Sequence, residues 1–245
     1  FWKVDDHDFE DCLEKEWLKF NVKYQNQYKI FEKLIYPYQT IDSLKFYKKV
    51  QRELSNNFEL RLNSNIKTIK KNSNIFEIKT ENTNVEAKII FDSRVPNKDP
   101  GNLYQHFYGC EINTTESHFD ENSVTLMDFD CEQKKGVHFF YILPFAKNRA
   151  LIETTWLSYL EKLDKKNYIK ELELYIENNL KIKNYNIIRE EIGAIPMFRT
   201  KSQNEFGYFD IGLRGNVNRM STGYAFPYIQ KHSQIISNTI ENISD

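Results

Sequence analysis

The sequence predicts a mixed fold, α/β with a large antiparallel sheet (α+β character), on three observations. Three segments carry apolar residues at helical spacing, and many shorter ones alternate apolar and polar residues. The alternating segments are separated mostly by clusters of Asn, Ser, Gly and Pro, the residues that make turns. Strands joined by short turns pair antiparallel, because a parallel neighbour needs a long crossover.

Residues 1–37 are aromatic and charged without clean periodicity and read as short strands and loops. From Thr40 the pattern changes: Ile41, Leu44, Phe46, Tyr47, Val50 and Leu54 recur at helical spacing, and Asp42 stands where a negative charge favours a first turn. A helix over 40–55 is expected. Alternating segments at 66–69, 75–80 and 87–91 predict a three-stranded meander. The run Asn97-Lys98-Asp99-Pro100-Gly101 is the best linker, and a second unit should start there. Strands are expected at 105–112, 123–129, 137–143 and 149–157, then a helix over 164–180, then strands near 186–190 and 206–213. At the C-terminal end a buried strand over 208–213 runs into the turn Gly212-Leu213-Arg214-Gly215. Ser221-Thr222-Gly223 then precedes an amphipathic helix carrying Ile229, Ile235, Ile236, Ile240 and Ile243.

Composition narrows the function classes. A chain of 245 residues is long enough to bury roughly 70–75% of its surface on folding. The 34 basic and 35 acidic residues give a net charge of −1, so no electrostatic footprint draws the chain to nucleic acid or anionic lipid. With 40% hydrophobic and 15% aromatic residues it is too apolar for a disordered chain. Cys12, Cys110 and Cys131 are far apart and outside any CxxC spacing, which argues against a disulfide framework or a zinc site and for a reducing compartment. The five histidines form no HExxH and no i, i+4 pair, so no metal site is expected. No apolar run is long enough to cross a bilayer.

All 8 glycines lie at position 101 or later, so no GxGxxG phosphate loop opens the chain. The strand, glycine turn and helix over 208–245 can bring backbone close to a cofactor, or they can form an ordinary capped helix. Leu151, Glu153 and Thr155 share one face of a predicted strand. A carboxyl among apolar neighbours keeps its proton and can serve as a general acid, although an exposed strand carboxylate is the ordinary alternative. Asp128 in Leu126-Met127-Asp128-Phe129 and Glu111 after Phe107-Tyr108-Gly109-Cys110 are second-rank candidates. The stripe Phe139-Phe140-Tyr141 reads as core, with the option of stabilising a cation.

Seven segments, in order and at matching spacing, resemble the lycopene cyclase family, especially its bacterial β-cyclases. They are Phe91-Asp92-Ser93-Arg94, Tyr104-Gln105-His106-Phe107-Tyr108-Gly109, Leu126-Met127-Asp128-Phe129, Tyr141-Ile142-Leu143-Pro144-Phe145, Ala150-Leu151-Ile152-Glu153-Thr154-Thr155, Gly193-Ala194-Ile195-Pro196-Met197 and Ser221-Thr222-Gly223-Tyr224. The resemblance implies an FAD-binding Rossmann-like flavoprotein of the hydroxybenzoate-hydroxylase type, incomplete at both ends, whose GxGxxG unit would precede Phe1. On that layout residues 1–39 belong with the substrate domain, 40–96 and 206–245 with the FAD-binding domain, and 97–205 form the substrate-binding sheet. Asp92, Ser93, Arg94, Gly212, Gly215, Thr222, Gly223 and Tyr224 would face the cofactor.

Glu153 matches the family's acidic motif, with Thr154 in place of a second acid. The implied reaction is cyclisation of the linear ends of lycopene, or of another linear carotenoid, to β-ionone rings. It is a non-redox isomerisation begun by Glu153, with reduced FAD as stabiliser and NADPH as reductant. The resemblance further implies peripheral attachment to the inner face of the cytoplasmic membrane. An FAD-dependent hydroxylase or other oxidoreductase of the same fold is the alternative, and a non-catalytic binder of an apolar ligand is a third possibility. Asn216 departs from the second adjacent glycine that the family often has, Met220 stands where it frequently has Pro, and Cys110 where it usually has Trp.

Overall fold

The computed structural model describes residues 1–160, 164–201 and 205–244. In chain order the elements are a 3-10 turn (Glu10–Cys12), β1 (Leu13–Trp17), β2 (Phe20–Tyr24), β3 (Gln27–Phe31), β4 (Tyr38–Ile41) and α1 (Ser43–Glu53). Next come β5 (Ile66–Asn72), β6 (Ile75–Thr80), β7 (Asn84–Ala87), β8 (Ile90–Asp92), β9 (Leu103–Asn113), β10 (Val124–Asp128), β11 (Val137–Ala146) and β12 (Arg149–Tyr159). The chain continues through α2 (Lys165–Asn178), β13 (Asn186–Pro196), β14 (Tyr208–Asp210) and α3 (Phe226–Ser244). Two compact units result, Phe1–Tyr47 with Asp99–Phe198, and Lys48–Lys98 with Arg199–Asp245.

The first unit is built on a seven-stranded sheet in the order β13-β9-β12-β11-β10-β2-β3. Every neighbouring pair is antiparallel except β10 with β2. The β11–β12 hairpin turns at Lys147 and Asn148, and its register shifts between Pro144 and Ala146, next to a proline that has no N–H for the ladder. Strand alternation gives the sheet two different faces.

One face carries Tyr108, Cys110, Ile112, Phe140, Ile152 and Trp156, and α2 lies on it with Tyr168, Leu172, Tyr175 and Ile176. These four fall at i, i+4, i+7 and i+8, a single stripe of the helix. Asp164 caps α2 by accepting from the Lys166 N–H at 3.0 Å. The Phe140 and Tyr175 rings stack at 3.7 Å, a contact worth about 1 kcal/mol beyond the area it buries. The other face packs Leu143, Phe145 and Leu151 against Trp17 of β1 and Tyr38 of β4.

Three sequence expectations are corrected here. The helix expected over 40–55 is shorter, because Thr40 and Ile41 pair with Lys15 and Leu13 as part of β4. Asp42 precedes the helix and accepts from the Lys45 N–H at 2.7 Å, as a cap rather than a first-turn residue. The strand expected over 208–213 stops at Asp210, where the chain enters the glycine turn. In the second unit β5, β6 and β7 form the meander, whose third strand lies at 84–87 and not at the expected 87–91, because residues 90–92 leave that sheet as β8 and pair parallel with β14. Ile229 and Ile236 on α3 are half-buried, Ile235 and Ile240 are exposed, and the side chain of Ile243 lies outside the described residues. The three cysteines are free thiols.

The α2 face holds two buried histidines. His138 stacks on Trp156 at 3.7 Å and bonds the Thr154 hydroxyl at 2.7 Å, while His106 bonds the Ser158 hydroxyl at 2.7 Å and the Tyr168 hydroxyl. Burial pushes both down to about 4. The unfolded chain takes up these protons first as pH falls, so stability is lost from about 6.5 down to about 4, by about 3 kcal/mol per histidine at most. Urea midpoints compared at about pH 7.5 and about pH 4.5 should fall less on acidification in His138→Gln than in the parent. An equal acid-induced fall in both would contradict this.

Candidate active site

Gly109 lies at the centre of β9, opposite Glu153 on β12 and opposite Glu191 on β13. The three positions therefore share one face, and the middle one has no side chain. A Cβ at Gly109 would stand 3.2 Å from Glu191 Cγ, 3.3 Å from Glu153 Cβ and 3.3 Å from Leu151 Cδ1. The two glutamate side chains therefore flank the bare backbone of Gly109 from strands roughly 10 Å apart.

Glu153 accepts a hydrogen bond from the buried Thr155 hydroxyl at 2.7 Å. Burial raises its carboxyl to about 8, Thr155 opposes that shift, and the neighbouring Glu191 carboxyl adds to it. Arg189 donates to Glu191 at 2.9 Å and to Glu111 at 2.6 Å, and Arg149 lies 3.0 Å from the other Glu111 oxygen and also pairs with Glu14. A line of alternating charge, Glu14, Arg149, Glu111, Arg189 and Glu191, thus ends at Glu153.

Aromatic rings flank the acid. Tyr141 is opposite Glu153 on β11, and Phe139 and Phe107 are opposite Thr155 on either side. Phe107 lies over Gly193, where a Cβ would fall 2.5 Å from its ring. Of the predicted stripe, Phe139 and Tyr141 share the face of Glu153, and Phe140 faces α2.

The other predicted acids are placed differently. Glu111 is on the same face but is held by Arg149 and Arg189. Asp128 is on the opposite face, where it accepts from Tyr175 at 2.5 Å and pairs with Lys23 at 3.3 Å. The reason is a bulge: Thr125 is opposite Ile142 and Asp128 opposite Phe140, so one extra residue turns Asp128 towards α2. Thr154 also faces α2, so a second acid at that position would not reach the face of Glu153. Glu191 was missed in the sequence. Its signal was the acidic pair Glu190-Glu191 directly before the Gly193-Ala194-Ile195-Pro196-Met197 segment. Only strand phase separates the two acids, because Glu190 faces away and bonds the Tyr108 hydroxyl at 2.9 Å and Lys165 at 2.6 Å.

The residues expected at a cofactor lie in the second unit. Asp92 and Asp210 end the parallel strands β8 and β14. Arg94 holds the Asp92 carboxylate at 2.7 and 2.9 Å, the Tyr208 hydroxyl also donates to it, and Arg214 stands 3.3 Å away and pairs with Asp210. Burial works to raise the Asp92 carboxyl, but the Arg94 and Tyr208 hydrogen bonds outweigh it and hold it well below the usual range. Ser93 is exposed between these paired neighbours.

Beyond β14 the turn needs glycine. A Cβ at Gly215 would meet the Asp210 carbonyl at 2.4 Å, and Gly212 has φ +60° with open space on its Cβ side. Asn216, the departure from the family pattern, has φ +58°, a conformation that Asn tolerates better than most residues. Its amide is bonded both ways to the Thr200 backbone at 2.7 and 3.1 Å. Thr222, Gly223 at φ +73° and Tyr224 lead into α3. Among the described residues no cluster of His, Cys, Asp and Glu could hold a metal ion.

The family model of lycopene cyclase proteins matches residues 1–245. This chain belongs to the lycopene cyclase family. A lycopene beta-cyclase from Paracoccus sp. (strain N81106 / MBIC 01143) is 28% identical over 163 residues, which cover 63% of this chain and 42% of that protein. The chain thus spans less than half the length of this curated relative. Among solved structures, a geranylgeranyl bacteriochlorophyll reductase-like protein from Thermoplasma acidophilum aligns with a TM-score of 0.66 at 12% identity, covering 98% of this chain and 66% of that one. The halogenase PltM, solved with phloroglucinol and FAD, aligns with a TM-score of 0.56 at 14% identity over 81% of this chain and 47% of that one. The flavin-dependent brominase Bmp2 gives a TM-score of 0.56 at 13% identity over 83% of this chain and 56% of that one. The fold of this lycopene cyclase family member is accordingly the mixed α/β, Rossmann-like one that these proteins share.

Because Glu153 holds its proton in the fold and loses it near 4.5 when unfolded, folding is opposed increasingly as pH rises from about 4.5 to about 8. Glu153→Gln removes that opposition. Thermal unfolding should show the variant melting above the parent at about pH 8, with the gap closing towards about pH 4.5. A variant that melts below the parent at both would contradict this.

Proposed function

We propose that the protein acts as a lycopene β-cyclase, closing the linear end groups of lycopene to β-ionone rings without net oxidation or reduction. The single observation that supports this most is the placement of the half-buried Glu153 carboxyl on one sheet face with Phe107, Phe139 and Tyr141, where burial raises it to about 8. An alkene is a poor base, so protonating it takes an acid in a dry site with groups that stabilise the cation. Glu153 supplies the proton to the terminal double bond, the carbocation closes the ring, and loss of a neighbouring proton leaves the ring double bond. The faces of Phe107, Phe139 and Tyr141 favour the positive charge while it lasts. Asp128 is not used in this scheme, and Glu111 acts only by holding Arg189 and Arg149.

The second unit suits FAD. Parallel strands β8 and β14 end beside a turn whose glycines keep backbone bare, and dinucleotides bind beyond the carboxyl ends of such strands. The arginines on Asp92 and Asp210 neutralise carboxylates that would otherwise repel a pyrophosphate. Ser93, Gly212, Gly215, Thr222, Gly223 and Tyr224 would hold the cofactor, with Asp92 and Arg94 fixing the strand end. When bound and kept reduced by NADPH, the flavin would supply negative charge that favours the carbocation. No described helix is long and apolar enough to cross a membrane. Because lycopene resides in lipid, the proposed location is the cytoplasmic face of the membrane, with peripheral attachment.

The likeness to halogenases favours one alternative, an FAD-dependent hydroxylase or other oxidoreductase acting on an apolar substrate. Expression of the full-length gene in lycopene-accumulating cells separates the two. Cyclised carotenoid of unchanged mass, absent with Glu153→Gln, is the expected result. Unaltered lycopene with folded, flavin-loaded protein would overturn the cyclase reading, and an oxygenated product would support the hydroxylase.

A further inference from the structure

The acid does not stand alone. Glu191 stands on the other side of Gly109, on a strand not adjacent to that of Glu153 but on the same face, and a Cβ at Gly109 would press on both glutamate side chains at 3.2 and 3.3 Å. Neither the alternation of β12 nor its acidic motif supplies such a partner, since Thr154 faces α2. The charged and titratable groups facing the pair are Arg189 on β13, Glu111 on β9, Arg149 on β12 and Tyr141 on β11, with Glu14 on β1 behind Arg149. With Glu153 protonated, the three carboxylates Glu14, Glu111 and Glu191 meet three cations, Lys45, Arg149 and Arg189. A fourth carboxylate would have no cation of its own.

We propose that Glu191 is a positioning residue that shares one proton with Glu153 across Gly109, so that the pair both delivers the proton that starts cyclisation and takes back the one that ends it. This inference rests on the cyclase reading above. In the forward step the Glu153 O–H bond breaks as a C–H bond forms at the CH carbon of the terminal double bond, leaving a tertiary cation on its dimethyl-bearing carbon. The electrons of the next double bond form the ring C–C bond. The C–H bond beside the resulting cation then breaks, its electrons become the ring double bond, and its proton returns to the carboxyl pair. The pair begins and ends each turnover with one proton, and no oxidant or reductant is consumed. Arg189, 2.9 Å from Glu191, offsets the repulsion while both carboxyls are ionised. Gly109 and Arg189 are therefore required by the same device, the first by allowing the approach and the second by making the transient dianion tolerable.

The test uses the full-length, flavin-loaded enzyme with lycopene in phospholipid vesicles, comparing the parent with Glu191→Gln and Glu153→Gln over a range of pH. Glu191→Gln removes the like charge beside Glu153, so the alkaline limb of its rate profile should move to lower pH by about one unit or more. It should be roughly tenfold slower than the parent on that limb and recover most of its rate in mild acid. The infrared carbonyl band of the protonated carboxyl should vanish at correspondingly lower pH in Glu191→Gln and be missing throughout in Glu153→Gln. A Glu191→Gln profile that is merely scaled down, with an unmoved infrared titration, would overturn the shared proton while leaving Glu153 as the acid. Full activity in Glu153→Gln would instead overturn the cyclase mechanism itself.

Discussion

Two carboxyl groups that meet across a missing side chain cannot both ionise cheaply. Burial raises the Glu153 carboxyl to about 8, the hydrogen bond from Thr155 opposes that shift, and the like charge of Glu191 adds to it. Glu153 therefore keeps its proton at neutral pH. The surrounding sheet is arranged around this outcome, with Gly109 opening the gap, Arg189 and Arg149 alternating with the remaining glutamates, and aromatic rings lining the flank of the acid.

The arrangement costs stability. A carboxyl held protonated far above its ordinary range opposes folding at neutral pH, and the compensation comes from the α2 face. There the stacked Phe140 and Tyr175, the stripe of α2 and the bonded histidines make an apolar layer with satisfied polar groups. The division of labour follows from strand alternation. One face of β9, β12 and β13 carries the unusual charges, and the other carries the packing that tolerates them.

Much of this was legible in the sequence. Helical spacing located α2, alternation located most strands, and the shared face of Leu151, Glu153 and Thr155 follows from the phase of β12. What was not legible depends on register and bulges, which no local pattern records. Asp128 continues the alternation of Val124 and Leu126 on paper, but the bulge in β10 turns it to the other face. Glu191 becomes the partner of Glu153 only through pairing of both strands with β9, whereas its neighbour Glu190, one residue out of phase, is tied to Tyr108 and Lys165. In the glycine turn, Asn216 looked like a departure from the family pattern, yet it takes the left-handed backbone that a glycine would take.

The most direct test of the account is turnover of lycopene by the full-length enzyme in heavy water. The proton on the carboxyl pair exchanges with solvent before substrate binds, and the proton lost at the end comes from the substrate. Mass spectrometry of the product should therefore find one stably bound deuterium for each ring closed and no added oxygen. A cyclised product without deuterium, or a product carrying oxygen, would contradict it.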